Sequence, residues 1–471
     1  MQRRVILYEL NEVPWDIVDF YVSARPASNL AAFLPTARCL TTIDEDPVDF
    51  QPWRTWPTFH RSLYTDDHGS LDLGQDPATF RGVDLWTVAD DAGLRVGLFG
   101  PMQSWPARRL RNGGFYVPDT FARTPETYPR SLARFQAFNL AMTRENAFSS
   151  YAPFPRRAMV TAGLDLLAKG LTPRSMATMG SHLVHEQLDH RFKARRSAMQ
   201  VLPTFDLYWR LHRRTRPHLS VFFTNHVAGM MHRYWGDAVP GYADEQPYRP
   251  DDVYRRFVLD AMDLFDRQLG RILKAMERDP STVLVIASSM GQGPIPYQGD
   301  MDETYVLADT DRFASAVGLE GATTGLAMYP RVCLQLPDPA AAEAAVAPIA
   351  SVASPLGAMF HDVRVHGTTV SFEIDYRFSA SGLPSEVRWR SPEGREAAGD
   401  IADLGIVVDR RPGGANTAYH TPEGVFVAAG AGIEGDPSRE KVSILDAAPS
   451  ILDLLDVAPH PSMQGRPTIF R

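Results

Sequence analysis

The sequence predicts a doubly wound α/β protein in which helices flank a mostly parallel sheet. Three short apolar runs carry this prediction: Val5–Tyr8, Leu219–Phe223 and Thr282–Ile286. Their continuous apolar character is typical of strands that are buried on both faces, and polar residues follow each of them. Ligands of such sheets bind at the carboxyl ends of the strands, so these polar residues form the candidate site.

The first of these polar groups is Glu9-Leu10-Asn11-Glu12. We expect Glu9 and Glu12 to serve acid–base chemistry, because carboxylates beside imidazoles can transfer protons without a metal. We expect Asn11 to contact the substrate. A structural alternative stays open, in which Asn11 and Glu12 cap the helix that the apolar period of Trp15–Tyr21 predicts.

A second candidate segment surrounds Thr55 and Pro57. Pro57 fits the first turn of a helix, which places Thr55 or Trp56 at the capping position. A hydroxyl there faces free N–H groups, an arrangement that binds phosphate. His60 lies one turn beyond Thr55 and is a candidate acid or base. The alternative is that Thr55 is an ordinary helix cap.

The richest segment follows the strand Leu219–Phe223. It places Asn225, His226, His232 and Arg233 within a few positions of one another. So many polar groups after a buried strand indicate a ligand site. The alternative is a helix that Asn225 caps, with His232 packed under the aromatic residues that follow it.

Two later segments complete the predicted cleft. Residues 288–293 form a small polar turn after the strand Thr282–Ile286, without an acid or an imidazole. His420 stands just before an apolar strand-like run that begins at Val425. We expect both segments to meet the earlier strand ends at one crevice.

The remaining chain divides into a core and two insertions. We predict an α/β core over 1–117, 217–327 and 404–471, and a helical insertion over 118–216. A strand, an Ala-rich helix over Pro339–Val352 and a hairpin over Val363–Tyr376 indicate a small α+β insertion at 328–403. We interpret Gly394–Asp403, at its end, as a linker.

Composition excludes several classes of protein. A formal net charge of -8 and the lack of a long basic run argue against nucleic-acid binding. No apolar stretch approaches the roughly 18–20 residues that span a bilayer, and no signal-like start is present, so we expect a cytoplasmic protein. Cys39 and Cys333 lie far apart in apolar surroundings, which favours buried free thiols over a disulfide.

The order of motifs resembles the alkaline phosphatase superfamily, and within it the type I phosphodiesterases and nucleotide pyrophosphatases. The resemblance runs through nearly the whole chain and implies an alkaline-phosphatase-like fold. The matching segments are the first strand up to Asn11, the Thr-x-Pro at Thr55–Pro57, His68-Gly69, Asn225–Trp235, Val283–Gly291, His420–Gly424 and the helix Ile444–Leu452.

The resemblance implies two zinc-like ions, but this chain lacks most of the acids that hold them. Where the family has the ligands of one ion, this chain has Asn11, Thr55, Ser289 and Met290, and we expect that ion to be absent. The positions that match the other ion are Asn225, His420 and either His232 or His226. Two or three imidazoles can hold one zinc or manganese ion, so we expect at most a single metal site.

The resemblance therefore predicts a divergent hydrolase or transferase that acts on a small phosphate- or sulfate-ester substrate. Thr55 is the expected nucleophile or anion anchor, and Thr58 is a second candidate for that place. Asn11, Asn225 and Arg233 are expected to bind the substrate. The alternative is a metal-free or inactive relative that binds a ligand in the same cleft, and a partner-binding protein that uses the helical insertion is a third possibility.

Overall fold

The structure is a computed structural model that describes residues 2–46, 49–148, 166–297, 303–327, 331–374, 386–392, 394–410 and 416–470. In chain order its strands are β1 (Arg4–Leu10), β2 (Arg38–Ile43), β3 (Val96–Phe99), β4 (Gly114–Val117), β5 (Leu219–Thr224), β6 (Thr282–Ala287), β7 (Gly291–Pro294), β8 (Glu303–Leu307), β9 (Thr323–Thr324), β10 (Arg331–Gln335), β11 (Ala353–Ser354), β12 (Gly357–Ala358), β13 (Phe360–His366), β14 (Thr369–Ile374), β15 (Val387–Arg390), β16 (Glu396–Gly399), β17 (Ile406–Arg410), β18 (Ala418–Thr421), β19 (Glu423–Gly430) and β20 (Asp436–Ser443).

The helices are distributed along the whole chain. In order they are α1 (Trp15–Ala24), α2 (Asn29–Phe33), α3 (Pro52–Arg61), α4 (Thr65–His68), α5 (Leu85–Asp91), α6 (Ala133–Phe148), α7 (Pro173–Leu188), α8 (Arg196–Met199), α9 (Val201–Thr215), α10 (Ala228–Ala238), α11 (Tyr242–Glu245), α12 (Phe257–Met276), α13 (Thr310–Val317), α14 (Pro339–Ala350) and α15 (Ala447–Leu454).

An eight-stranded sheet runs through the core in the order β20-β2-β19-β6-β1-β5-β3-β4. Strand β19 runs antiparallel to both of its neighbours, whereas every other pair in this sheet is parallel. The predicted fold class, a mostly parallel sheet flanked by helices, is thus confirmed.

Apolar side chains cover both faces of this sheet. In β1, Ile6 and Tyr8 belong to the cluster under α9, α10 and α12, whereas Val5 and Leu7 belong to the cluster under α3, α5 and α15. Successive side chains of a strand point to opposite faces, so a continuous apolar run is what a sheet between two helical layers requires. Cys39 and Cys333 are buried and free, as predicted. Among the described residues, no helix is both long and apolar enough to cross a membrane.

Helix α3 begins earlier than the sequence predicted. Pro52 takes its first position, so Thr55 lies at the end of the first turn and its N–H donates to the Gln51 carbonyl at 2.9 Å. The expectation that Thr55 or Trp56 caps this helix is therefore wrong. Pro57 lies inside the helix and cannot donate to the carbonyl of Trp53, which instead accepts the Ser70 hydroxyl at 2.8 Å.

The small α+β unit has its own apolar cluster, which draws on residues from Tyr305 to Ile406 and thus extends beyond 328–403 on both sides. Its described part contains the expected hairpin as β13 and β14. The linker interpretation of Gly394–Asp403 is wrong, because β16 pairs with β15 there and a 3-10 turn follows at Ile401–Leu404. The division into core and insertions stays a prediction.

Candidate active site

The carboxyl ends of three adjacent parallel strands lie side by side at one edge of the main sheet. Asn11 follows β1, Asn225 follows β5 and Ser288 follows β6. Backbone and side-chain bonds tie these ends together: the N–H of Asn11 donates to the Thr224 carbonyl at 3.1 Å, and the Ser288 hydroxyl donates to the Leu10 carbonyl. The predicted convergence of strand ends therefore exists in the fold.

Glu12 is the centre of the site. Its Oε2 atom lies 2.9 Å from Nε2 of His232 and 3.4 Å from Nε2 of His420. The side-chain amide of Gln292 also donates to Oε2, and the amide of Asn11 donates to Oε1 at 2.6 Å. One buried carboxylate thus faces two imidazoles and two amides.

The surroundings of Glu12 favour its ionised form. Burial opposes this, but His420 and His232 hold the pKa of the Glu12 carboxyl well below its usual range. For His420, burial again opposes the charged form, and Glu12 raises the imidazole pKa above its usual value. The backbone of Glu12 has a φ of 61°, a left-handed conformation that is uncommon outside glycine and is often found at functional sites.

Two elements bring the histidines to Glu12. His232 lies on α10, and its Nδ1 is 3.1 Å from the Ala418 carbonyl. Because Nδ1 donates to that carbonyl, Nε2 keeps a lone pair directed at Glu12 when the ring is neutral. His420 lies within β18 rather than before a strand, and it is the register partner of Gln292 in β7. The imidazole of His232 is 21% exposed, so solvent reaches the group from its side.

Asn11 is buried beside Glu12, with 1% of its surface exposed. Its Oδ1 accepts the indole N–H of Trp56 at 2.7 Å. Its Nδ2 donates to Glu12 at 2.6 Å and to Oδ1 of Asn225 at 2.6 Å. All the hydrogens of this amide are thus used within the protein. Asn225 is exposed and is the member of this pair that a ligand can reach.

The structure does not bring His226 to this group. Its ring packs against α12, where Nε2 is 3.1 Å from the Ala261 carbonyl, and Nδ1 is 2.7 Å from the Thr224 hydroxyl. Burial lowers the pKa of His226 to about 3, so it is a neutral ring within the core. Of the two histidines that the sequence left open for the metal position, the structure places His232 beside His420 and Glu12.

The threonines of α3 lie beneath the surface. Thr55 is 2% exposed, and its hydroxyl is 2.7 Å from that of Ser289. Thr58 is fully buried, where its hydroxyl donates to the Arg54 carbonyl and lies 3.1 Å from Nε2 of His68. The next residue after Thr55 is Trp56, whose indole donates to Asn11, and the hydroxyl partner of Thr55, Ser289, follows β6. The nucleophile role of either threonine stays a prediction.

Glu9 and His60 also come together, but inside the core. Oε1 of Glu9 lies 2.6 Å from Nε2 of His60, and neither side chain is more than 1% exposed. The imidazole stacks on Trp56 and packs edge-on against Trp86. Burial raises the pKa of Glu9, although His60 opposes the shift. The pair is closed off from solvent, and its predicted acid–base role stays a prediction.

The side chain of Arg233 is half-buried and forms no hydrogen bond or ion pair within the described part of the chain, and its predicted contact with the substrate stays a prediction. Sequence reasoning missed two residues of the site, Ser289 and Gln292. Both lie in the segment 288–293, which contains no ionisable group, and the prediction of a turn there is wrong for Gln292, because it belongs to β7. The register of β7 against β18 is what brings Gln292 to Glu12, and it has no local sequence signal.

The donor set fits a zinc-like ion. Ligand atoms of Glu12, His232 and His420 all lie within 4.8 Å of one another. Two imidazole nitrogens and one carboxylate oxygen form a donor set of catalytic zinc sites, which leave a fourth position open. The amides of Asn11 and Gln292 orient the carboxylate, as outer partners of metal ligands do.

No family model matches the chain, and no curated protein matches it. Among solved structures, it is similar to murine ectonucleotide pyrophosphatase/phosphodiesterase 5, with a TM-score of 0.41 and 11% identity over 98% of this chain and 96% of that one. An inactive variant of the murine protein in complex with AMP gives a TM-score of 0.42 at 11% identity, with the same coverage. The human protein gives 0.40 at 10% identity, again with the same coverage. Similarities this low carry no inference about activity.

Proposed function

We propose that this chain is a divergent hydrolase or transferase of the alkaline phosphatase superfamily that acts on a small phosphate-ester substrate with a single metal ion. The observation that carries the proposal is the convergence of Glu12, His232 and His420, which three separate segments supply. The motif order of the sequence supports the choice of superfamily and substrate class.

Each residue of the site has a distinct part in this proposal. Glu12, His232 and His420 hold the ion, and Asn11 and Gln292 keep the Glu12 carboxylate oriented and ionised. When bound, zinc supplies a Lewis acid that polarises a phosphoryl oxygen. Thr55 is the candidate nucleophile, and the Ser289 hydroxyl, 2.7 Å from that of Thr55, orients it.

A metal-free ligand-binding protein is the second candidate. Glu12 already has two amide donors and two imidazole neighbours, so its carboxylate is compensated without an ion. A buried carboxylate without such partners would be strongly destabilising. The two candidates therefore predict the same contacts but different metal content.

Two measurements separate the hydrolase from the ligand-binding protein. One is elemental analysis of the purified chain, and the other is turnover of p-nitrophenyl phosphate and bis-p-nitrophenyl phosphate with added Zn²⁺ or Mn²⁺. Stoichiometric zinc that is lost in His232→Ala and His420→Ala, with turnover that follows the metal, supports the hydrolase. Absence of both bound metal and turnover with either ion leaves the ligand-binding protein.

A further inference from the structure

We propose that Asn225 presents its side-chain N–H groups to the cleft and binds an oxyanion of the ligand, and that Trp56 fixes this orientation through Asn11. The inference rests on the proposed function, because it names the part of the ligand that the same site contacts. Asn225 then offers a hydrogen-bond donor at the position where the family that this chain resembles has an aspartate, which can only accept when ionised.

The indole of Trp56 sets the orientation of the Asn11 amide. The indole N–H can only donate, so the atom that faces it at 2.7 Å must be the oxygen of Asn11. The atom that faces Oε1 of Glu12 at 2.6 Å is then the nitrogen of Asn11, which donates to the carboxylate oxygen. A flipped Asn11 would place donor against donor and acceptor against acceptor in a buried position.

The orientation of the Asn11 amide fixes that of the Asn225 amide through the hydrogen bond between them. Nδ2 of Asn11 has a second hydrogen, and the side-chain atom of Asn225 that lies 2.6 Å away must accept it. That atom is therefore Oδ1, and Nδ2 of Asn225 is the side-chain atom that does not face Asn11. Asn225 is exposed, and its Nδ2 has no hydrogen-bond partner among the described residues.

The chemical class of the ligand group follows from this polarity. An outward N–H pair repels a cation and donates to an anionic oxygen, and hydrogen bonds to charged groups are stronger than neutral ones. An aspartate at 225 would also accept from Asn11, but it would turn a negative oxygen outward. The outward amide therefore suits a tetrahedral oxyanion, a phosphoryl or sulfuryl group, near the Glu12 site.

Two substitutions at 225 separate the donor from the charge. Asn225→Leu has nearly the same shape and removes the donor, and Asn225→Asp replaces the donor by a charged acceptor. We expect calorimetric titration of the full chain with inorganic phosphate to show about tenfold weaker binding for Asn225→Leu, since the lost bond involves a charged partner. Asn225→Asp should bind more weakly still. Gln187→Glu, an exposed amide-to-acid change on α7, is the matched control for net charge and should bind as wild type does.

A double-mutant cycle tests the part of Trp56. If Trp56 acts by orienting Asn225, Trp56→Phe weakens phosphate binding in the wild-type chain but has no further effect in the Asn225→Leu chain. If Trp56→Phe instead acts through a general structural effect, it would weaken phosphate binding equally in both chains. That result would overturn the orienting role of Trp56. If Trp56→Phe does not fold, as judged by circular dichroism, the two variants at 225 decide the proposal.

Several results would overturn the role of Asn225. One is the failure of the wild-type chain to bind phosphate or sulfate. Another is equal phosphate binding by Asn225→Leu and wild type. A third is a loss of zinc affinity in Asn225→Leu, which would make Asn225 a metal ligand. Sulfate is titrated in parallel, and the preferred anion names the ester class. Absence of turnover would contradict the hydrolase but would not affect these binding comparisons. A failure of the proposed function can therefore be told apart from a failure of the proposed role of Asn225.

Discussion

Oε2 of Glu12 lies 2.9 Å from Nε2 of His232, although one residue follows β1 and the other lies on the helix after β5. The two strands are adjacent and parallel, so their ends bring the carboxylate and the imidazole to the same edge of the sheet. Burial makes this pair sensitive to the loss of either member, because an unpaired buried charge is strongly destabilising.

Glu12→Gln should remove most of the affinity for zinc. The loss of an outer partner of a metal ligand typically costs 10–100-fold in affinity, so the loss of a direct carboxylate ligand should cost more than about 100-fold. Competition with a chromophoric chelator measures this affinity. Glu277→Gln, an exposed change on the surface, is the matched control. Zinc binding that survives in Glu12→Gln would contradict the assigned ligand set.

The stability of the metal-free chain should have a maximum in mildly acidic solution. The folded pKa of Glu12 lies below its ordinary value of 4.5, so its contribution is present above that pH and is lost as the pH falls through the folded pKa. The folded pKa of His420 lies above 6.5, so its contribution is full below that pH and is lost as the pH rises through the folded pKa.

Thermal unfolding in the presence of a chelator, at a series of pH values, measures this profile. Because Glu12 and His420 interact, their stabilisation is one shared contribution to the profile and is not counted twice. In Glu12→Gln, the fall in stability should be smaller on both the acidic and the basic side of the maximum. A profile that is identical in wild type and Glu12→Gln would show that the pair does not contribute to stability.

His226→Ala should lower stability without changing zinc affinity. The ring is buried and has polar partners at Thr224 and Ala261, so its removal leaves a cavity and unpaired groups. The free energy of unfolding should fall by roughly 2–4 kcal/mol. Denaturant titration and a zinc competition assay give the two numbers. Lost zinc affinity at unchanged stability would place His226 at the metal after all.

His60→Ala should be strongly destabilising because it leaves Glu9 unpaired in an aromatic environment. Breaking a buried pair by removing one partner typically costs 3–5 kcal/mol. We expect the folded fraction to keep its turnover per molecule, since the pair does not reach the cleft. Glu9→Gln tests the same point with a smaller change of shape. A fall in kcat without a fall in stability would favour the acid–base role that the sequence suggested.

Thr55→Ala should abolish turnover if Thr55 is the nucleophile, because the covalent bond to the substrate forms at its hydroxyl oxygen. Ser289→Ala removes only its hydrogen-bond partner and should lower kcat by a smaller factor. Thr58→Val should leave kcat unchanged, since that hydroxyl is fully buried beside His68. Steady-state kinetics on the three variants rank them, and a reversed order for Thr55 and Thr58 would move the nucleophile.

The sequence predicted the location of the site better than its contacts. Apolar runs identify buried strands, and parallel strands bring the residues that follow them to one edge, so the meeting of the segments that contain Glu12 and His232 could be predicted. Adjacent residues after a strand need not share a side, which is why Asn225 faces the cleft and His226 the core. Gln292 depends on a pairing between segments that are distant in sequence, and a local pattern does not contain such information.

The single antiparallel strand ties the timing of site formation to the assembly of the sheet. Strand β2, made early in synthesis, connects to β6, β1, β5, β3 and β4 only through β19, and His420 lies just before β19. A nascent chain that has not yet released β19 therefore lacks both the far side of the sheet and one imidazole of the site. We expect the ion to bind after these long-range pairings form, so that zinc is acquired by the folded protein and not by the emerging chain.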